Sequence, residues 1–126
     1  MNAMAALRQY QSVNTQAQAL EASPHRLIQM LMEGGLTRIA QARGAMERGQ
    51  TELKGELISK SIAIVGGLRD ALDHRQGGEL AANLDSLYEY MTGRLLQANR
   101  NNEPALLEEV AALLREVKSG WDAIAQ

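Results

Sequence analysis

Ser23-Pro24-His25-Arg26-Leu27-Ile28-Gln29-Met30-Leu31-Met32-Glu33 decides how the rest of the chain is read. Ser23 has the side chain of an N-cap, able to accept a hydrogen bond from a free backbone N–H of the first turn. Pro24 follows at the one helical position where a missing N–H costs nothing and a fixed φ helps. Leu27, Ile28, Met30, Leu31 and Met32 then cover more than half of the next two turns with apolar side chains. A helix packed on one neighbour needs a narrower stripe. The excess predicts apolar surface that serves something besides the domain's own core.

Outward from this start the apolar residues fall at alternating steps of three and four. Ile28, Met32, Gly35, Ile39, Ala42 and Met46 form the first series. Ile58, Ser61, Val65, Leu68 and Leu72 form the second, widened by Leu57 and Ile64. The third runs through Leu80, Leu84, Leu87, Met91, Leu95 and Ala98, and the fourth through Leu107, Val110, Leu114, Val117, Trp121 and Ile124. Such spacing keeps one face of each helix toward a shared axis. No segment alternates with period two for long, so strands are not expected. Gly49-Gln50-Thr51, Gln76-Gly77-Gly78 and Asn99 to Asn102 break the pattern, with Thr51 as a cap and Pro104 opening the last helix. Helices are expected over 24–48, 52–74, 79–99 and 104–124. Their short connections make consecutive helices antiparallel. The predicted fold is all-α, an antiparallel up-down four-helix bundle over 23–126, preceded by a loosely attached segment over 1–22.

That segment places Met4, Leu7, Tyr10, Val13 and Leu20 among small and polar residues. It is either a frayed terminus or a piece that docks on the bundle through Leu7 and Tyr10.

Composition removes several function classes. The 126 residues suit one domain with a real core. Cysteine is absent, and with it disulfides, thiol catalysis and thiolate metal sites. No apolar run is long enough to span a membrane, and the N-terminus has no signal-peptide block. Net charge is −2 and the thirteen basic residues are scattered, which argues against a nucleic-acid surface. His25 and His74 lie on different helices without a partner at metal-ligand spacing. Glu108 with Glu109, and Asp70 with Asp73, fall on solvated faces and lack the Glu-x-x-His of a di-iron bundle. No serine has a recognisable base and orienter. The expectation is a non-catalytic protein without metal or cofactor.

Gly34-Gly35 and Gly66-Gly67 lie inside helical patterns, where each glycine costs roughly 1 kcal/mol relative to alanine. Close helix crossing is one reason for them, and a groove floor is the other. Gly35 sits in the core stripe and fits the first; Gly34 and Gly66 lie off the stripes and fit the second.

With these features in view, the chain resembles the flagellar secretion chaperones of the FliS type. The likeness runs through Tyr10-Gln11, Ser23-Pro24-His25, Leu27-Ile28, Met30-Leu31 and Gly34. It continues with Lys60, Ile62-Ala63-Ile64-Val65, Leu68, Leu72, Gly77-Gly78-Glu79-Leu80 and Asn83-Leu84. Leu87-Tyr88, Tyr90-Met91, Arg94-Leu95-Leu96, Ala98-Asn99 and Trp121 complete it. The chain departs from the family pattern at Met32, where an aromatic is common, at Glu33, where Asp is, and at Gly35 and Gly66, where larger residues are. The resemblance implies a cytoplasmic chaperone that holds the disordered C-terminal segment of flagellin before export through the flagellar type III apparatus. It also implies that the segment bearing Tyr10 covers part of the binding surface when no client is present. Other flagellar regulators or export components are further partners in this reading, and the chain is a monomer or a homodimer. The expected partner-binding residues are Leu7, Tyr10, Val13, Leu27, Met30, Met32, Leu57, Ile62, Ile64, Tyr88 and Leu95. Flexible methionines suit a surface that adapts to varied packing, although Met30 and Met32 also suit plain core. In the rival reading, a structural or regulatory homodimer buries Leu57, Ile62 and Ile64 against a second copy.

Overall fold

The computed structural model describes residues 22–124. Four helices occur there: α1 over Pro24–Glu47, α2 over Thr51–Asp70, α3 over His74–Asn101 and α4 over Pro104–Asp122. No strand occurs among the described residues. Ser23 caps α1 through its Oγ, which accepts from the Arg26 N–H at 3.1 Å. Pro24 and Pro104 open their helices as expected. Gln50, not Thr51, occupies the N-cap of α2, and it makes no side-chain capping bond.

Cross-helix contacts fix the topology. Lys54 at the start of α2 reaches Asn99 and Asn102 at the end of α3. Arg69 at the end of α2 holds Asp85 in the first half of α3. Arg43 near the end of α1 pairs with Glu108 near the start of α4. The Trp121 indole at the end of α4 donates to the His25 carbonyl at the start of α1. These contacts make α2–α3 and α1–α4 antiparallel, and the short α1–α2 and α3–α4 connections do the same for the other two pairs. α1 packs on α2 and α4, and α3 on α2 and α4. Of these four pairs α1–α2 is the most extensive and α3–α4 the least.

The interior is aliphatic. Leu31, Ile39, Ile58, Ile64, Met91, Leu95, Leu107 and Leu114 are fully buried. Gly35 belongs to close packing: a Cβ there would sit 3.0 Å from Leu114 Cδ2 and 3.4 Å from Ile64 Cγ2. A Cβ at Gly66 would meet nothing within 4 Å, so this glycine faces open space.

The α2–α3 junction departs from the expected boundaries. α2 stops at Asp70 rather than at residue 74, and His74 to Gly77 form a turn of their own. Asp73 starts that turn by accepting from the Arg75 and Gln76 N–H groups. Gly78 then breaks the helix with φ 51° and ψ −123°, a region closed to side chains with a Cβ. The continuous part of α3 begins only after it. Two expected core positions are also displaced. Leu80 is 65% exposed and Ile124 53% exposed, because each ends its apolar stripe where the surrounding helices no longer enclose it. Tyr88 and Ala81 are buried on α3 instead.

Candidate functional site

The exposed ends of those stripes converge. At the end of the bundle holding the α2–α3 junction, the helices leave an apolar groove of about 360 Å³. Ile28 and Met32 enter it from α1. Leu68, with Ala71 and Leu72 just beyond α2, forms a second wall. Leu80, Leu84 and Tyr88 come from α3, while Val117, Gly120 and Trp121 of α4, with Ile124 beyond it, form the opposite side. Among the described residues, the only charged one lining it is Glu116. The groove is at the small end of the range for ligand sites, roughly 300–1,000 Å³. It suits a few apolar anchors from a larger partner better than it suits a polar reactant.

Its floor is buried and its mouth is exposed. Met32 is buried beneath it, and Tyr88, 3% exposed, forms part of the wall. Burial pushes the Tyr88 hydroxyl up to a pKa of about 12, so this tyrosine stays neutral. Trp121 is held in place twice. Its ring stacks on His25 with centroids 4.7 Å apart and planes 11° from parallel, and its Nε1 donates to the His25 carbonyl at 3.0 Å. Below this lock, Gln29 Nε2 donates to Asp122 at 2.8 Å. Lys118 pairs with the same carboxylate at 2.7 Å and holds it below the usual carboxylate range. The mouth, by contrast, is made by exposed Leu80, two residues past the Gly78 break, and exposed Ile124.

Of the expected partner-binding residues, Met32 and Tyr88 line this groove. Leu57 lines a separate shallow depression with Leu53, Ala40 and Gly44. Met30, Ile64 and Leu95 are in the core, and Leu27 and Ile62 are half-buried beside it. Leu7, Tyr10 and Val13 lie outside the described residues. Sequence reasoning left Leu80, Leu84, Trp121 and Ile124 in the core stripes. Their signal was present all the same: each closes or nearly closes its series at the same end of the bundle.

Among the described residues no group of three or more His, Asp or Glu side chains is arranged to hold a metal. No described helix is long and apolar enough to cross a membrane. Of the carboxylates expected on solvated faces, Glu108 and Glu109 serve as ties between helices. Glu109 accepts from the Tyr90 hydroxyl at 2.6 Å and from Arg94 Nε at 2.8 Å, joining α3 to α4. Those two donors, Tyr90 first, hold its carboxyl below the ordinary value.

Residues 6–126 match the family described as flagellar protein FliS. The chain belongs to the FliS family. It is 64% identical over 124 residues to the flagellar secretion chaperone FliSB of Pseudomonas aeruginosa, covering 98% of each chain. The FliS chaperone of Vibrio cholerae is 42% identical over 118 residues, 94% of this chain and 87% of that one. The Salmonella typhimurium FliS chaperone is also 42% identical, over 94% of this chain and 88% of its own length. All three carry the name of flagellar secretion chaperones, and no enzyme family is indicated. The family assigns the chain to flagellar secretion; the groove is the feature of this structure that fits a chaperone's need for accessible apolar surface.

Proposed function

We propose that this protein is a cytoplasmic export chaperone that binds the disordered C-terminal segment of flagellin, blocks its premature assembly and supports its secretion by the flagellar type III apparatus. The observation that carries this reading is an open apolar groove in a chain of the FliS family. A monomeric domain gains nothing from leaving Leu80 and Ile124 in water beside a cavity. A client segment that turns helical on binding covers such surface with side chains at i, i+3 and i+4. Coupled folding of this kind buries on the order of 1,000–3,000 Å² and loses ~2–5 kcal/mol or more to ordering. The groove therefore anchors a client whose remaining length runs over other faces of the bundle. Tyr10, with Leu7 and Val13, is proposed to act in client handling, competing for apolar surface when the client is absent.

The test is a titration of the protein with a flagellin C-terminal peptide, followed by calorimetry and by emission of Trp121, the single tryptophan. A stoichiometric complex with a changed Trp121 spectrum is expected. No binding at micromolar concentrations, together with a mass that doubles with protein concentration, would replace this reading by a self-associating structural bundle. Tyr10→Ala is expected to change peptide affinity while leaving the melting temperature nearly unaltered.

A further inference from the structure

α4 carries four carboxylates, and three of them are engaged. Glu108 is paired with Arg43 and Arg115, Glu109 with Tyr90 and Arg94, and Asp122 with Lys118 and Gln29. Glu116 is different: among the described residues it has neither a hydrogen bond nor an ion pair, and it lies on the lip of the apolar groove. The cations flanking it in sequence do not compensate it. Arg115 turns to Glu108, which is itself tied to α1 through Arg43, and Lys118 turns to Asp122 and to Glu33 of α1. α4 thus presents its cations along the α1 edge and an uncompensated anion along the groove. One turn further on, at Gly120, an added Cβ would meet nothing within 4 Å. That edge of α4 offers a partner backbone room to approach, and α3–α4 is also the least extensive of the packed pairs.

We propose that the segment occupying this groove carries a lysine or arginine that pairs with Glu116, so that one charge contact sets the register of otherwise non-directional apolar anchors. This rests on the groove being the client site and adds the chemistry of the client: apolar side chains flanked by a cation at the Glu116 lip. Apolar burial supplies affinity without fixing position along the groove, since it scales with area and has no direction. A segment that slides by one turn keeps much of its apolar contact and loses the pair. A client with a carboxylate at that position meets Glu116 as a like charge and is disfavoured.

The experiment compares wild type, Glu116→Gln and Glu116→Lys for binding of the flagellin C-terminal peptide, with Leu80→Ser as the groove control. Both changed residues are exposed, so the fold is retained. Glu116→Gln is expected to weaken binding about two- to five-fold, the range of an exposed ion pair, and to flatten the salt dependence seen in wild type. Glu116→Lys is expected to weaken it further. Changing each peptide Lys or Arg to Glu in turn should recover affinity for Glu116→Lys at one position. Should Leu80→Ser weaken binding and Trp121 respond while both Glu116 variants bind as wild type with no charge-swap recovery, the pairing is overturned and the groove site stands. If the peptide binds by calorimetry but neither Leu80→Ser nor Trp121 registers it, the client lies elsewhere and the groove assignment itself fails. Concentration-dependent Trp121 emission without peptide, abolished by Leu80→Ser, would make a second copy of the chain the occupant and also overturn the proposal.

Discussion

The two ends of the bundle are built from the same heptad pattern and finish differently. At the end holding the α1–α2 and α3–α4 connections, Ala42, Ala45 and Ala98 let the helices close together, and Ile58, Leu95 and Leu107 fill the space between them. Lys54, 4% exposed, seals that end. Its ammonium donates to the Asn99 carbonyl at 2.9 Å and to Asn102 Oδ1 at 2.6 Å, satisfying the C-terminus of α3 where Asn102 turns left-handed. At the other end large side chains continue the stripes, but the chain makes only one connection there, between α2 and α3. Ile28, Leu72, Leu84, Val117 and Trp121 are only partly buried there. Apolar residues in a helical stripe thus become core where small residues and paired connections close the bundle, and accessible apolar surface where neither is present.

The largest effect that separates the ends is cavity formation. Leu107→Ala at the closed end is expected to cost about 2–5 kcal/mol. Leu80→Ala at the open end should change stability by less than about 0.5 kcal/mol while weakening the flagellin peptide. Urea unfolding of both variants checks this. Equal losses would mean that the open end is core after all.

Lys54→Met comes next. It keeps most of the buried stem and removes the charge, leaving the Asn99 carbonyl without its donor. The expected loss is about 1–3 kcal/mol, with peptide affinity unaltered because the groove is at the far end. Gly78→Ala should cost about 1 kcal/mol, the low end for a residue forced into such a backbone conformation, since the single turn before it can fray. Its sharper readout is Trp121 emission with bound peptide: a shifted first turn of α3 moves Leu80 and with it the groove mouth.

Much of this contrast was legible in the sequence, and the illegible part has a common cause. Ser23, Pro24 and Pro104 marked helix starts through local chemistry, and the three-four spacing gave each helix its inward face. Both are short-range signals. Where the inward face stops being covered depends on how four helices end relative to one another, so Leu80 and Ile124 read as core. Nothing local marked Lys54 as a buried residue, because its acceptors lie 45 and 48 residues away. The His25–Trp121 stack spans 96 residues and left no local trace. The Gly78 break was visible as a glycine pair, but not that a capped turn would precede it, because Asp73 acts only once the chain has already reversed.

The smallest predicted effect concerns the seam between the two ends. Tyr90, Arg94 and Glu109 clasp α3 to α4 on the path from the sealed end to the groove, and Arg94 also lies over the Tyr90 ring, 5.6 Å from its centroid. The Glu109 carboxyl titrates below its ordinary value of 4.5 in the folded protein. The unfolded chain therefore binds the proton more readily, and stability rises with pH through this range. The clasp contributes fully above the ordinary value and is lost as pH falls through the lower folded value. Asp85, held by Arg69, and Asp122, held by Lys118, are shifted the same way, so the wild-type profile alone does not isolate Glu109. Glu109→Gln does: its urea midpoint should lie slightly below wild type at neutral pH and converge with it in acid. The gap is expected to be small, because both side chains of the Arg94–Glu109 pair are about one-third exposed and solvent screens them. A gap that persists unchanged into acid would show that Glu109 acts by packing rather than by charge.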